Sequence, residues 1–179
     1  MAEGTLEAER ARLEELYRRY GGLIASWSAK LGGPGVDTED LVQEVFLVIA
    51  ETLKDFRGDA KLTTWLFRIT ENVVRNRRRQ ERLRRWLAVF GEETARRLMA
   101  AAPDPGDSLE RTEAQTRIYR ALDGLSEVHR TALILFEIEG LKCEEIAELT
   151  EVRPEAVWMR LTRARRHFIR RFTALERQP

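Results

Sequence analysis

Between Lys61 and Arg85 the chain reads KLTTWLFRITENVVRNRRRQERLRR. Trp65, Leu66, Ile69 and Val73 recur at helical spacing, while Arg68, Asn72, Arg75, Asn76 and Arg79 follow the same period on another side. One helix therefore carries a core face and a donor-rich face. From Arg68 to Arg85 there are eight arginines against Glu71 and Glu81, a local charge of +6 in a chain whose total is +1. That concentration suits a polyanion. Arginine supplies phosphate contacts and asparagine can make bidentate contacts to a base, so the mixture fits nucleic acid better than a membrane surface, which would want a broader apolar face. The blander alternative is a solvated basic face on a core helix.

The 179 residues allow one or two domains, each able to bury its own core. Cys143 is the only cysteine and His129 and His167 stand alone, so no disulfide, structural metal or cofactor is expected. No run of 18 apolar residues occurs and the first twenty residues are charged throughout, which predicts neither a signal peptide nor a membrane span but a soluble cytoplasmic protein. Charged residues make up 34%, Gly and Pro are few, and no convincing period-2 segment or Asn-Gly hairpin turn appears. The expected fold class is all-α.

From Leu13 the apolar residues Leu16, Tyr17, Tyr20, Leu23, Ile24, Trp27 and Leu31 predict a first helix ending at Gly32-Gly33-Pro34-Gly35. Asp37 to Asp40 offer an N-cap and an acidic first turn for a second helix reaching about Lys54, with Leu41, Val42, Val45, Phe46 and Ile49 as its core. Asp40, Gln43, Glu44 and Leu47 fall on another side, either ordinary helix surface or an interaction face. Phe56 to Asp59 is read as a short loop before the basic helix. Beyond Arg85 the pattern weakens and Gly91 interrupts it. Pro103-Asp104-Pro105-Gly106-Asp107-Ser108 is the clearest break, so a linker is expected over 88–112 between domains at 1–87 and 113–179.

The last third predicts helices over Leu109–Asp123, Ser126–Glu139, Lys142–Thr150 and Pro154–Phe172, with Ser126 as an N-cap, Gly140 as a stop and Pro154 in a first turn. The final pair has helix-turn-helix proportions, held together by Ile146, Ala147, Val157 and Leu161. Arg160, Arg163, Arg165, Arg166, Arg170 and Arg171 make the long helix basic, while Glu144, Glu145 and Glu148 make the short one acidic. A helix pair of this kind need not bind DNA. The arginines favour it.

Two basic helical modules in this order resemble the extracytoplasmic function (ECF) sigma factors of bacterial RNA polymerase. The resemblance rests on Asp40-Leu41-x-Gln43-Glu44-x-Phe46, Phe56-x-Gly58, and Thr64-Trp65-Leu66-Phe67-Arg68-Ile69-x-x-Asn72 followed by Arg78-Arg79. Ala121-Leu122-x-x-Leu125, Arg130, Glu145-Ile146-Ala147 and Val157-x-x-Arg160-Leu161-x-Arg163-Ala164-Arg165 are similar to the family's helix-turn-helix domain, and less diagnostic alone.

The resemblance implies a sigma region 2-like bundle and a region 4-like domain joined by a flexible linker, with no catalytic residue of their own. It implies that Asp40, Gln43, Glu44 and Leu47 dock on the β′ clamp helices of core polymerase. Arg68, Asn72, Arg75, Asn76, Arg78 and Arg79 would meet the −10 promoter element, with the Phe56 to Leu62 loop shaping a pocket for a flipped base. Trp158, Arg160, Arg163, Arg165 and Arg166 would meet the −35 element. Further expected partners are the polymerase β flap and an anti-sigma factor that could hold the protein at the inner membrane. The chain departs from the family at Glu151, where the turn usually has glycine, and at Glu155-Ala156, where a Gly-Thr pair is usual. Ser126 stands where proline is common. The rival readings are a dimeric helix-turn-helix repressor, which leaves Asp40 to Arg85 unexplained, and a hydrolase using Asp37, Asp40 and Glu44, which lack a histidine or metal-ligand companion.

Overall fold

The computed structural model describes residues 2–58, 60–90 and 109–177, and among them every regular element is helical. Helix α1 spans Ala2–Gly32, α2 Thr38–Thr52 and α3 Leu62–Phe90. After α3 come α4 at Leu109–Leu122, α5 at Glu127–Leu133, α6 at Cys143–Leu149 and α7 at Pro154–Glu176. The proline-rich break lies outside the described residues. α3 runs on to Phe90 and α4 opens at Leu109, so both helices reach into the stretch expected as linker.

α1, α2 and α3 pack on one another as a bundle around Ile24, Trp27, Leu41, Val45, Ile49, Leu66, Phe67 and Val73. Trp27 meets Phe67 edge to face with ring centroids 5.1 Å apart. Burying a side chain the size of Phe67 contributes about 1.5–3 kcal/mol, which is why the α3 stripe commits to the core. The first-helix stripe is narrower than its spacing suggests: Tyr17 and Leu23 stay exposed. α2 stops two residues short of the expected end and tightens into a 3-10 turn over Leu53–Asp55. Phe56 then packs on Trp65, centroids 4.9 Å apart, closing the loop onto the start of α3.

In the second module α4, α5 and α6 surround the first half of α7, and the predicted clasp of Ile146, Ala147, Val157 and Leu161 is fully buried. The expected helix over Ser126–Glu139 is not uniform. Past Leu133 it widens to π geometry over Ile134–Ile138, with Glu139 N–H donating to the Ile134 carbonyl and Gly140 at φ 71° ending it. Ser126 occupies the N-cap position without capping; its hydroxyl lies 3.0 Å from His129 Nδ1 instead. Pro154 does open α7.

The two modules dock, and their buried side chains form one continuous apolar cluster. Gly33 lies at the junction: its φ is 86°, and a Cβ there would come within 2.5 Å of the Tyr119 ring. Tyr119 Oη donates to the Lys30 carbonyl at 3.0 Å, and Arg130 Nη1 to the Leu31 carbonyl at 2.6 Å. The C-terminal end of α1, whose carbonyls have no partner within the helix, is thus capped by side chains from the second module.

Candidate nucleic-acid interface

Asp37 caps α2 as expected: its Oδ1 accepts the N–H groups of Glu39 at 2.9 Å and Asp40 at 3.1 Å. It is a structural carboxylate, which removes one acid from the hydrolase reading. With the cap set, Asp40, Gln43 and Leu47 lie exposed along α2, Leu47 at 66%. Glu44 differs, being tied to Arg77 of α3 at 3.1 Å. Beside this row runs an apolar groove of about 760 Å³ between α1 and α2, lined by Leu13, Tyr17, Val42, Phe46 and Leu47. Apolar patches with a polar rim occur at docking surfaces and ligand grooves.

On α3, Arg68, Asn72, Arg75, Asn76 and Arg79 are all exposed, as the period predicts. Arg75 donates to the Asn72 Oδ1, which holds that amide on the surface. Arg78 departs from the group. It is only 5% exposed, with its Nη2 2.6 Å from Asp123 and its Nη1 2.6 Å from Glu127. Arg82 reaches Glu127 at 3.3 Å, and Arg68 meets Glu151 at 2.7 Å.

The turn between α6 and α7 resolves the departure at Glu151, which adopts φ 52°. Val152 N–H donates to the Ala147 carbonyl at 3.0 Å and Glu151 N–H to the Glu148 carbonyl at 3.4 Å. This is a Schellman C-cap with glutamate where glycine is favoured. The left-handed residue costs roughly 1–2 kcal/mol, and the exposed pair with Arg68 offsets at most about 1 kcal/mol. Glu151→Gly is therefore expected to stabilise the protein by about 0.5–1 kcal/mol, read as a higher urea midpoint. A lower midpoint would show that the turn carries no such strain.

α7 buries Val157, Leu161 and Ala164 and turns Met159, Arg163, Arg166 and Arg170 outward. Arg160 is on one flank. Trp158, 58% exposed, and Arg165 are on the other, and Arg165 is drawn back onto its own module by Glu137 at 2.8 Å and the Phe136 ring at 5.0 Å. His129 stacks on His167 with centroids 6.3 Å apart. Burial first, then His167, Arg163 and Arg160, push the His129 imidazole below its usual value.

Arg130 is the residue that spacing did not reveal as structurally central. It is 1% exposed, and its Nε sits 3.6 Å from Asp123, in ion-pair rather than hydrogen-bond range, while Nη2 finds no acceptor. Burial first, and Arg78 second, lower its pKa to about 10, so it is still a cation at neutral pH. One signal was available: it is a lone cation at the head of the apolar run Thr131 to Phe136. Among the described residues no cluster of acids, histidines or cysteines is suited to a metal ion.

Comparison with known families agrees with both modules. The Sigma-70 region 2 model matches residues 16–84 and the Sigma-70 region 4 model matches residues 115–168. The RNA polymerase sigma factor CnrH of Cupriavidus metallidurans is 31% identical over 157 residues, covering 84% of this chain and 81% of that protein. The chain belongs to the ECF sigma factor family. The ECF sigma-E factor of Escherichia coli is 29% identical over 92% of this chain and 88% of its own length. Among solved structures, CnrH in complex with the cytosolic domain of CnrY superposes with a TM-score of 0.58 at 24% identity, covering 95% of this chain and 91% of that one. RpoE of Bartonella quintana in complex with the anti-sigma factor NepR gives 0.52 at 21% identity, covering 93% and 97%. As a family member this protein is an alternative sigma factor for transcription initiation, a regulatory DNA-binding subunit and not an enzyme in its own right. Neither the repressor nor the hydrolase reading stands against that. No described helix is long and apolar enough to cross a membrane.

Proposed function

We propose that this ECF sigma factor uses four surfaces of two chemistries, two bordered by apolar grooves for core polymerase and two rows of exposed arginines for promoter DNA, and the observation that carries the assignment is the exposed Arg and Asn row along α3. The α2 row of Asp40, Gln43 and Leu47, with Glu44 bracing Arg77 behind it, docks on the β′ clamp helices. The exposed Arg68, Asn72, Arg75, Asn76 and Arg79, joined by Arg78 once its acidic partners release it, take the −10 element. A flipped non-template base costs a few kcal/mol to extract, and the cationic surface together with polymerase contacts offsets that.

Arg160, Arg163 and Arg166 contact the −35 backbone, with Trp158 beside them and Arg165 in a bracing role. A second groove, of about 310 Å³ and lined by Ile118, Leu122, Ile138, Phe168 and Ile169, suits the β flap. The solved relatives in complex with CnrY and with NepR support an anti-sigma partner for this chain as well, acting in the cytoplasm.

The test is competition for core polymerase against a labelled sigma factor. Gln43→Ala with Leu47→Ala is expected to weaken binding at least about tenfold, because truncating a central apolar anchor costs about 1–2 kcal/mol or more, while stability shifts by no more than about 0.5 kcal/mol. Unchanged affinity would remove α2 from the polymerase interface. Glu44→Lys is a poorer probe, since it would set two cations together at Arg77.

A further inference from the structure

Both histidines of the chain lie together on one flank of the second module. His167 follows Arg160 by two helical turns and Arg163 by one, along the same side of α7; His167 and Arg163 are exposed and Arg160 is half-buried. His129 comes from α5 to stack on His167, with ring centroids 6.3 Å apart and an interplanar angle of 19°. Ser126 Oγ engages His129 Nδ1 at 3.0 Å, and because a hydroxyl both donates and accepts, it suits the imidazole with or without its second proton.

The surroundings resist that second proton in the free chain. Burial, then His167, Arg163 and Arg160, lower the His129 pKa, and no carboxylate is among the groups that shift it. The acids nearest in sequence are engaged elsewhere, Asp123 with Arg78 and Arg130, and Glu127 with Arg78 and Arg82. Arg130 itself is turned to the Leu31 carbonyl, and Arg171 of α7 packs over Gly124 in the turn before α5. Two imidazoles beside two guanidiniums are completed by an anion from outside, through charge-assisted hydrogen bonds.

We propose that His129 and His167, with Arg160 and Arg163, form a proton-linked clamp for a phosphodiester of the upstream promoter element, the histidine pair taking up a proton as the phosphate docks. The inference rests on the assignment of Arg160 and Arg163 to the −35 backbone, and it extends that contact from α7 onto α5. The phosphate charge offsets the repulsion between the pair and its arginines, so the complex holds more protons than the free holoenzyme and affinity rises as pH falls. Folding has the opposite sign. A His129 pKa lowered in the folded chain makes acid destabilising, so acid-induced unfolding cannot imitate tighter binding.

The test uses reconstituted holoenzyme and a fluorescent duplex carrying both promoter elements, with dissociation constants measured at about pH 8 and about pH 6, either side of the usual histidine range. Wild-type affinity is expected to rise about fivefold to tenfold on acidification, well within the roughly tenfold per pH unit that one linked proton allows. The slope of log affinity against log salt should steepen by about 0.9, as for one more cation on duplex DNA. His129→Gln with His167→Gln should cut the gain to less than about twofold, because neither amide can take the linked proton. His167→Gln alone, at an exposed position where folding is little affected, should at least halve it. His167→Arg supplies a fixed charge and should bring the affinity at the higher pH up to that of the wild type at the lower, which a merely structural histidine would not do.

A wild type without the gain, or a double variant that keeps all of it, overturns the clamp. So does a gain that survives on a duplex truncated to remove the −35 element, since the proton then binds elsewhere. Arg160→Ala with Arg163→Ala tests the underlying assignment separately. If this variant weakens binding to the full duplex and not to the truncated one, while the histidine variants behave as wild type, α7 is on the −35 backbone and only the clamp fails. If it leaves the full duplex unaffected, the assignment fails and the clamp with it.

Discussion

Replacing Arg130 with alanine is expected to lower the free energy of unfolding by about 3–5 kcal/mol, a large share of the roughly 5–15 kcal/mol a domain possesses. Three losses coincide. The Leu31 carbonyl at the end of α1 loses its donor, Asp123 loses the cation 3.6 Å away, and a long side chain leaves a void between Tyr119 and the start of α5. Arg130→Met should be far milder. The guanidinium is itself imperfectly satisfied, with Nη2 lacking an acceptor and its pKa pressed down to about 10, so a methionine that fills the volume removes a desolvation cost along with the contact. The sign of the linkage is clear: a cation whose folded pKa lies below its unfolded value costs stability at every pH below about 10, and neutral pH is deep inside that window. Urea unfolding of both variants checks the pair, and an alanine variant within about 1 kcal/mol of wild type would show that Arg130 is not the keystone of the contact between modules.

The second large effect is expected at the promoter. Asn72 and Asn76 are exposed one turn apart on α3, so changing both to alanine should leave folding intact while each lost base contact costs about 1–3 kcal/mol in open-complex formation. Transcription by reconstituted holoenzyme from a library randomised at −10 and −35 measures it directly. The wild type should show sharper sequence information at −10 than at −35, because the outward side of α7 offers Met159, 57% exposed, and arginines suited to phosphates. The double variant should flatten the −10 information and leave −35 as it was. Wild-type open-complex yield on both matched and mismatched promoters would take the asparagines out of base readout, and sharper information at −35 would mean that α7 reads bases after all.

Much of this architecture is visible in the amino-acid order, for a local reason. Helix periodicity, the Asp37 cap, the Gly140 stop and the Pro154 start are decided by residues within one or two turns, and the motifs shared with ECF sigma factors sit on those helices. The exposed donor row from Arg68 to Arg79 and the clasp of Ile146, Ala147, Val157 and Leu161 follow from the same period. The anomaly at Glu151 was marked by the resemblance to the family, whose turn usually has glycine, and it falls at a C-cap, which calls for a residue that tolerates positive φ.

What the order of residues could not decide is which charges are free. Arg78 and Arg79 are neighbours in the same basic run, yet one is buried between two carboxylates and the other faces water. Arg165 and Arg166 divide in the same way over Glu137. Arg78 finds its partners 45 and 49 residues away and Arg68 finds its own at 83, and no periodicity encodes such distances. Charge in a sequence is a local sum. Its availability depends on the packing that brings distant acids and bases together, inside the second module for Arg165 and, for Arg68 and Arg78, through the docking of the two modules around Tyr119 and Arg130.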